Sequence, residues 1–168
     1  ASFTVTVTLE EDEPVASTSP PTAYSEIVAL SVTDPHHVEV DNYGNVYVVG
    51  DGGIKKFNSS LQLLFTITPS STFYRDVGVD NNGNIYALKD GFGIEKYDSS
   101  GTFITQQSVD LSAANALLRS LSVVGNYVYV ANSELYSTNG GAIVKLDLSL
   151  NQILTIPAYW PTAVTADS

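Results

Sequence analysis

One ten-residue stretch occurs twice in this chain. Val38-Glu39-Val40-Asp41-Asn42-Tyr43-Gly44-Asn45-Val46-Tyr47 returns, 39 residues further on, as Val77-Gly78-Val79-Asp80-Asn81-Asn82-Gly83-Asn84-Ile85-Tyr86. The match resumes past the turn, where Gly53-Ile54-Lys55-Lys56-Phe57-Asn58-Ser59-Ser60 returns as Gly93-Ile94-Glu95-Lys96-Tyr97-Asp98-Ser99-Ser100. A looser third copy runs Leu121-Ser122-Val123-Val124-Gly125-Asn126-Tyr127-Val128-Tyr129-Val130 and continues at Ala142-Ile143-Val144-Lys145-Leu146-Asp147-Leu148-Ser149. A fourth opens at Pro161-Thr162-Ala163-Val164-Thr165-Ala166-Asp167, parallel to Pro35-His36-His37-Val38-Glu39-Val40-Asp41. A period of roughly 40 residues with several short strands per unit points to a propeller or a related β-array.

Each unit reads as four strands. The first, around Val38 to Val40 or Val77 to Val79, ends at Asp-Asn-x-Gly-Asn, a tight reversal in which Gly and Asn accept positive φ. The second, Val46 to Val49 or Ile85 to Leu88, is β-branched and aromatic, as strands prefer. The third, Ile54 to Phe57 or Ile94 to Tyr97, alternates apolar with Lys and predicts one buried and one wet face. Asn58-Ser59-Ser60 and Asp98-Ser99-Ser100-Gly101 are the next turns, and Leu63 to Thr68 or Thr102 to Gln106 form the outermost strand. Helix is expected only as a turn or two at Leu111 to Leu118. The fold class is all-β: a propeller-like array of four-stranded antiparallel blades, with an extra N-terminal strand on a linker.

The pattern V-x-V-D-x-x-G-N-V/I-Y, followed by G-I-x-K-F/Y-D/N-S-S, resembles the NHL repeat of β-propellers over residues 35 to 168. The resemblance implies a propeller blade, but functions in that family range from binding protein or RNA to lyase activity, and fold does not carry function. Lyases of this type use several spaced histidines with metal, a pattern that this chain departs from. Three complete copies and a first strand leave three arrangements open. The ring can close by a composite fourth blade, the chain can be part of a longer array, or a neighbour can complete it.

Composition narrows the chemistry. Eighteen acidic and seven basic residues give a net charge of −11, which repels nucleic acid, since phosphate is held by Lys/Arg clusters. With no cysteine and only two histidines, thiolate nucleophiles, disulfides and zinc-thiolate sites are excluded. No catalytic residue, metal site or cofactor is expected. No run approaches the roughly 18 apolar residues of a membrane span. The absence of methionine, even at position 1, reads as a processed product.

Residues 1–9 stand apart as a donor or closing strand. Phe3, Val5, Val7 and Leu9 alternate with threonines and form one apolar face. Residues 10–23 read as an acidic, Pro/Ser/Thr-rich linker, and 24–168 as the repeat domain, with repeats near 35–73, 74–117, 118–160 and a partial 161–168. A tether of Glu10 to Ala23 spans some 40 Å at about 3 Å per residue, so the strand can pair in its own body or add to another subunit. The acidic, proline-rich tether favours another subunit.

Other candidates have bland counterparts. Asp41-Asn42-Tyr43-Gly44-Asn45 and its copy at Asp80 suggest calcium loops but lack the later bidentate acid, so a capped turn is preferred. His36-His37 would point to opposite sides of a strand and reads as loop. Tyr47, Tyr86, Tyr97 and Tyr129 occupy repeat positions and read as core. Tyr159-Trp160-Pro161 is the best place for a ligand contact, but its equivalent in the first copy is the Asp34-Pro35 turn, so packing between blades is slightly favoured. Asn58-Ser59-Ser60 is an N-glycosylation sequon, and Ser17, Thr18, Ser19 and Thr22 suit O-glycans.

Together these readings predict an extracellular or cell-surface protein without enzymatic activity. Its role would be structural or adhesive, its partner a second copy of itself. The alternative is a monomeric module that recognises glycan or protein on one loop face.

Overall fold

A computed structural model of the chain describes residues 2–6, 29–70, 73–90, 92–109, 116–134 and 141–166. Its strands are β1 (Ser2–Thr6), β2 (Ala29–Thr33), β3 (His37–Val40), β4 (Val46–Gly50), β5 (Gly53–Phe57), β6 (Leu63–Ile67), β7 (Tyr74–Val79), β8 (Ile85–Lys89), β9 (Gly93–Tyr97), β10 (Phe103–Ser108), β11 (Ala116–Val124), β12 (Tyr127–Glu134), β13 (Gly141–Asp147) and β14 (Gln152–Pro157). They form three four-stranded antiparallel meanders, β3 to β6, β7 to β10 and β11 to β14, and a two-stranded ribbon, β1 with β2. Each sequence copy is thus one sheet. Among the described residues there is no helix, and the array of sheets is not closed. The helical turn expected from Leu111 gives way at its end to β11, whose Ala116, Leu117 and Leu118 pair with Glu134, Ser133 and Asn132; residues 111–115 lie outside the described residues.

The turns explain why the copies fold alike. Asp41 Oδ1 accepts from the backbone N–H groups of Tyr43 and Asn45, each at 2.9 Å, while Oδ2 accepts from Asn45 Nδ2 and the Tyr47 hydroxyl. Asp80 repeats every one of these bonds with Asn82, Asn84 and Tyr86. This is an Asx-type turn that satisfies its own backbone. Between the third and fourth strands, Asn58, Asp98 and Asp147 cap the next turn through N–H groups two and four residues on. Each of those turns has one left-handed residue at the same place: Leu61 at φ 59°, Gly101 at 85° and Leu150 at 67°. Gly101 is required there by a neighbour as well, because a Cβ would lie 2.8 Å from the Phe65 ring.

The innermost strands β3, β7 and β11 lie side by side, with β7 between the other two. Tyr47, Val49, Ile54 and Ile67 of the first sheet pack on Tyr74, Val77, Ile85, Ala87 and Tyr97 of the second. Tyr86, Leu88 and Ile94 on the second sheet's other side pack on Leu118, Leu121, Val128, Val130, Val144 and Leu146 of the third. The second sheet is therefore covered on both faces. The wet face predicted by the alternation at Lys56 and Lys96 is absent, because each lysine reaches across into the next sheet and Glu95 is buried among Tyr74, Lys89 and Tyr97 of its own sheet.

The ribbon sits where a sheet before the first would lie. Ser2 to Thr6 pair with Thr33 to Ala29 of the same chain, Phe3 opposite Val32 and Val5 opposite Leu30. Val32 closes a small core with Val46, Val48, Phe57 and Leu61. The first strand, expected to favour another subunit, has its partner here in β2; Val7, Leu9 and the linker lie outside the described residues.

Candidate functional site

Where the innermost strands meet, one carboxylate ties all three sheets. Asp76 of β7 accepts from its neighbour Val77 N at 2.8 Å and from Leu121 N of β11 at 2.8 Å, and its Oδ1 lies 2.9 Å from His37 Nε2 of β3. The side chain of Asp76 is only 4% exposed and that of His37 33%. His37 thus opens β3 and pairs with a buried acid, which corrects the loop expected for it, while His36 lies before the strand. Burial of the ring disfavours its charged form, but the Asp76 hydrogen bond and the charges of Asp76 and Glu39 outweigh it and hold His37 above its ordinary 6.5. Glu39 is likewise pushed above 4.5, chiefly by burial.

Beside this tie is a cavity of about 230 Å³, lined by His37, Glu39, Gly78, Ser120, Ser122 and Val164 among others. Gly78 lets β7 and β11 approach, since a Cβ there would lie 2.6 Å from Leu121 Cδ1 and 2.7 Å from Val123 Cγ2. Val164 and Thr165, the start of the fourth copy, reach the same cavity. Asp76 has its oxygens occupied by protein donors, so its chemistry is to hold strands together. Among the described residues no three His, Cys, Asp or Glu side chains gather as a metal cradle.

A second polar cluster lies within the second sheet, where Tyr74 and Tyr97 pack on the first. Glu95 receives Lys89 Nζ at 2.7 Å, the Tyr74 hydroxyl at 2.6 Å and the Tyr97 hydroxyl at 2.7 Å, and Lys89 also reaches Ser70 Oγ at 3.1 Å. Lys89 and Glu95 are each 6% exposed at the side chain. Burial raises the Glu95 carboxyl, but its hydrogen bonds to Lys89 and the two tyrosines leave it below the usual range. Tyr97 is pushed up to about 12 and Tyr74 further still, in both cases first by burial and then by the bond to Glu95. The ammonium is therefore paired and every acceptor oxygen is used, the condition under which such a buried pair is tolerated.

Two of the sheet boundaries are also closed by the same latch. Lys56 Nζ lies 5.1 Å from the centre of the Tyr47 ring and donates to the Ser99 carbonyl of the second sheet at 3.0 Å. Lys96 lies 5.1 Å from the Tyr86 ring and donates to the Leu148 carbonyl of the third sheet at 2.7 Å. Ser99 and Leu148 hold the same place in their turns. On the exposed side, Asn42 Nδ2 donates to Asn81 Oδ1 at 2.9 Å, joining two copies of one residue.

The opposite end, where the innermost strands begin, carries exposed aromatics. Phe73 precedes β7, Phe92 lies in the turn between β8 and β9, and Tyr159 and Trp160 follow β14; they are 50%, 41%, 80% and 45% exposed. Tyr159 and Trp160 stand 6.4 Å apart between ring centres. Trp160 has φ 54° and Asp34, the equivalent residue before Pro35, has φ 46°, so the junction repeats as the sequence alignment implies. These two rings are open rather than packed between sheets. Asn58 spends its amide on its own turn, with Nδ2 donating to Gln62 Oε1 at 2.9 Å, and Ser17, Thr18, Ser19 and Thr22 lie outside the described residues. Tyr47, Tyr86 and Tyr97 are core residues as their repeat positions predict. Asp76 and the lysine latches have no local signature, because their partners come from other sheets, and Glu95 has none because Tyr74 and Lys89 come from other strands of its own sheet.

No family model matches the chain, and no curated protein matches it. Solved structures do resemble it. The computationally designed Ika4 protein aligns with a TM-score of 0.63 at 14% identity, over 81% of each chain. U3-55K aligns with a TM-score of 0.62 at 10% identity, over 78% of this chain and 42% of its own. The extracellular domain of a putative hybrid two-component system, BT4673 from B. thetaiotaomicron, aligns with a TM-score of 0.56 at 19% identity, over 87% of this chain and 21% of its own. The chain thus spans less than half the length of two of these three, and at such identities what it shares with them is the fold.

Proposed function

We propose that this chain is a non-enzymatic, NHL-type structural or adhesive module of the extracellular surface that assembles with copies of itself. The observation that carries this reading is the apolar character of the outer strands. Leu63 and Leu64 on β6, Phe103 and Ile104 on β10, and Ile153, Leu154 and Ile156 on β14 are each about half exposed. All three strands end their sheets, so each offers an unpaired backbone edge with apolar side chains, a template for another chain. Exchange of β1 between copies is the route that the N-terminal strand offers. An extracellular domain among the similar folds, the lack of cysteine and the candidate glycan acceptors support the location. The saturated carboxylates Asp76 and Glu95 support a structural role over a catalytic one. Electron microscopy and light scattering on the intact chain test this: oligomers or fibres are expected, and a monomer at every concentration overturns it.

A second reading rests on Tyr159 and Trp160. Two exposed rings at a loop end suit the face of a sugar or an apolar peptide. Trp160 is the only tryptophan, so its emission reports any contact directly. A glycan that shifts Trp160 emission saturably, with Tyr159→Ala abolishing the shift, would favour this module as a receptor.

A further inference from the structure

We propose that the outer face of the third sheet docks a second copy of this chain, with Lys145 donating to the Ser59 carbonyl of that copy. The inference rests on the self-assembly reading and names its surface. It follows from comparing one set of positions in three sheets. Tyr47, Ile54 and Lys56 in the first sheet correspond to Tyr86, Ile94 and Lys96 in the second and to Tyr129, Ile143 and Lys145 in the third. In the first two sheets the set faces the next sheet, and Tyr47, Ile54, Tyr86 and Ile94 are all 0% exposed. In the third sheet Tyr129, Ile143 and Lys145 are half-buried. Lys145 Nζ stands 3.6 Å from the centre of the Tyr127 ring and 5.4 Å from that of Tyr129. Among the described residues it has no carbonyl to bind.

The complementary half lies at the other end of the same chain. Ser99 and Leu148, the latch acceptors, correspond to Ser59, which is exposed and receives no donor at its carbonyl among the described residues. Val38 and Val40 of β3 are 41% and 54% exposed, whereas Val77, the counterpart of Val38 in a sheet that has a predecessor, is 1% exposed. The ribbon covers Val46 and Val48 through Val32 but cannot supply the latch, since no Lys or Arg precedes Lys55 in the sequence. The lysine that fits Ser59 is therefore Lys145, and it comes from another copy. Unlike surfaces meet, so the contact is heterologous: two copies close a ring if the rotation permits, and a filament grows if it does not.

Sedimentation of the intact chain and two variants tests this. Lys145→Glu spoils one end and Val40→Asp the other. Each alone is expected to weaken self-association at least about tenfold, with far-ultraviolet circular dichroism unchanged, and Lys145→Arg to retain it. Mixing the two variants restores a one-to-one dimer, because each keeps the end that the other lost. If Lys145→Glu fails to fold, Lys145→Met carries the same comparison. Wild-type association that Lys145→Glu and Val40→Asp leave untouched overturns this docking face while self-assembly stands. A wild-type chain that never associates overturns both.

Discussion

Asp76 is one side chain in three sheets, and its removal should be felt in all of them. Asp76→Ala deprives His37 of its partner and leaves the buried N–H of Leu121 without an acceptor. A loss of about 3 kcal/mol is expected in denaturant unfolding, and a loss below about 0.5 kcal/mol, the range of ordinary surface changes, would show that the tie is unimportant. The Lys89 and Glu95 pair predicts non-additivity. Either Glu95→Leu or Lys89→Leu strands one buried charge and costs about 3–5 kcal/mol, whereas the double variant costs less than the worse single one. Titration should give a dome. His37 is raised above 6.5, so its contribution is complete below that value and is lost as pH rises through the raised one. Glu39, raised above 4.5, acts in the same direction, because its ionisation is costlier in the folded chain. Asp41 and Glu95 are lowered, so their contributions are present above 3.8 and 4.5 and are lost as pH falls through the lowered values. Stability should peak between these limits, and His37→Gln should flatten the alkaline limb. An unchanged limb in that variant would remove His37 from the account.

At the scale of strands and turns, most of the fold was legible. The Asp-x-x-Gly-Asn turns and the strand following each are local, so repetition places them without tertiary knowledge, and Asp41 and Asp80 make matching bonds. What escaped depends on neighbours. Lys56 and Lys96 read as solvent-facing because a strand pattern says which faces differ, not that a second sheet covers both. Asp76 has no repeat signature, because it answers to the His37 ring and the Leu121 backbone in the neighbouring sheets, while Glu95 answers to Tyr74 and Lys89 in other strands of its own sheet. Gly78 supplies the direct test of strand approach. Gly78→Val drives side-chain atoms into Leu121 and Val123 and should cost about 1–3 kcal/mol by overpacking. A neutral result would mean that β7 and β11 are not held this close.

For the whole molecule, the three sheets satisfy one another only inside the array. Its middle sheet has two covered faces, its first is covered in part by the ribbon, and in its third Lys145 rests half-buried on the Tyr127 ring. On the proposed reading, an array that carries a latch lysine at one end and a latch carbonyl at the other joins copies beside the ribbon, a use that suits saturated buried acids and apolar outer strands. The aromatic loop at Tyr159 and Trp160 was legible, but the exposure of its rings was not, because its repeat position suits packing between blades. The proposed docking end was not, because it emerges only when equivalent residues in successive sheets are compared for burial. Mass by light scattering, measured on the intact chain across a wide range of concentration, tests the assembly most directly. The expected result is a mass of at least two chains at high concentration, falling towards one chain on dilution. A mass of one chain throughout would contradict it.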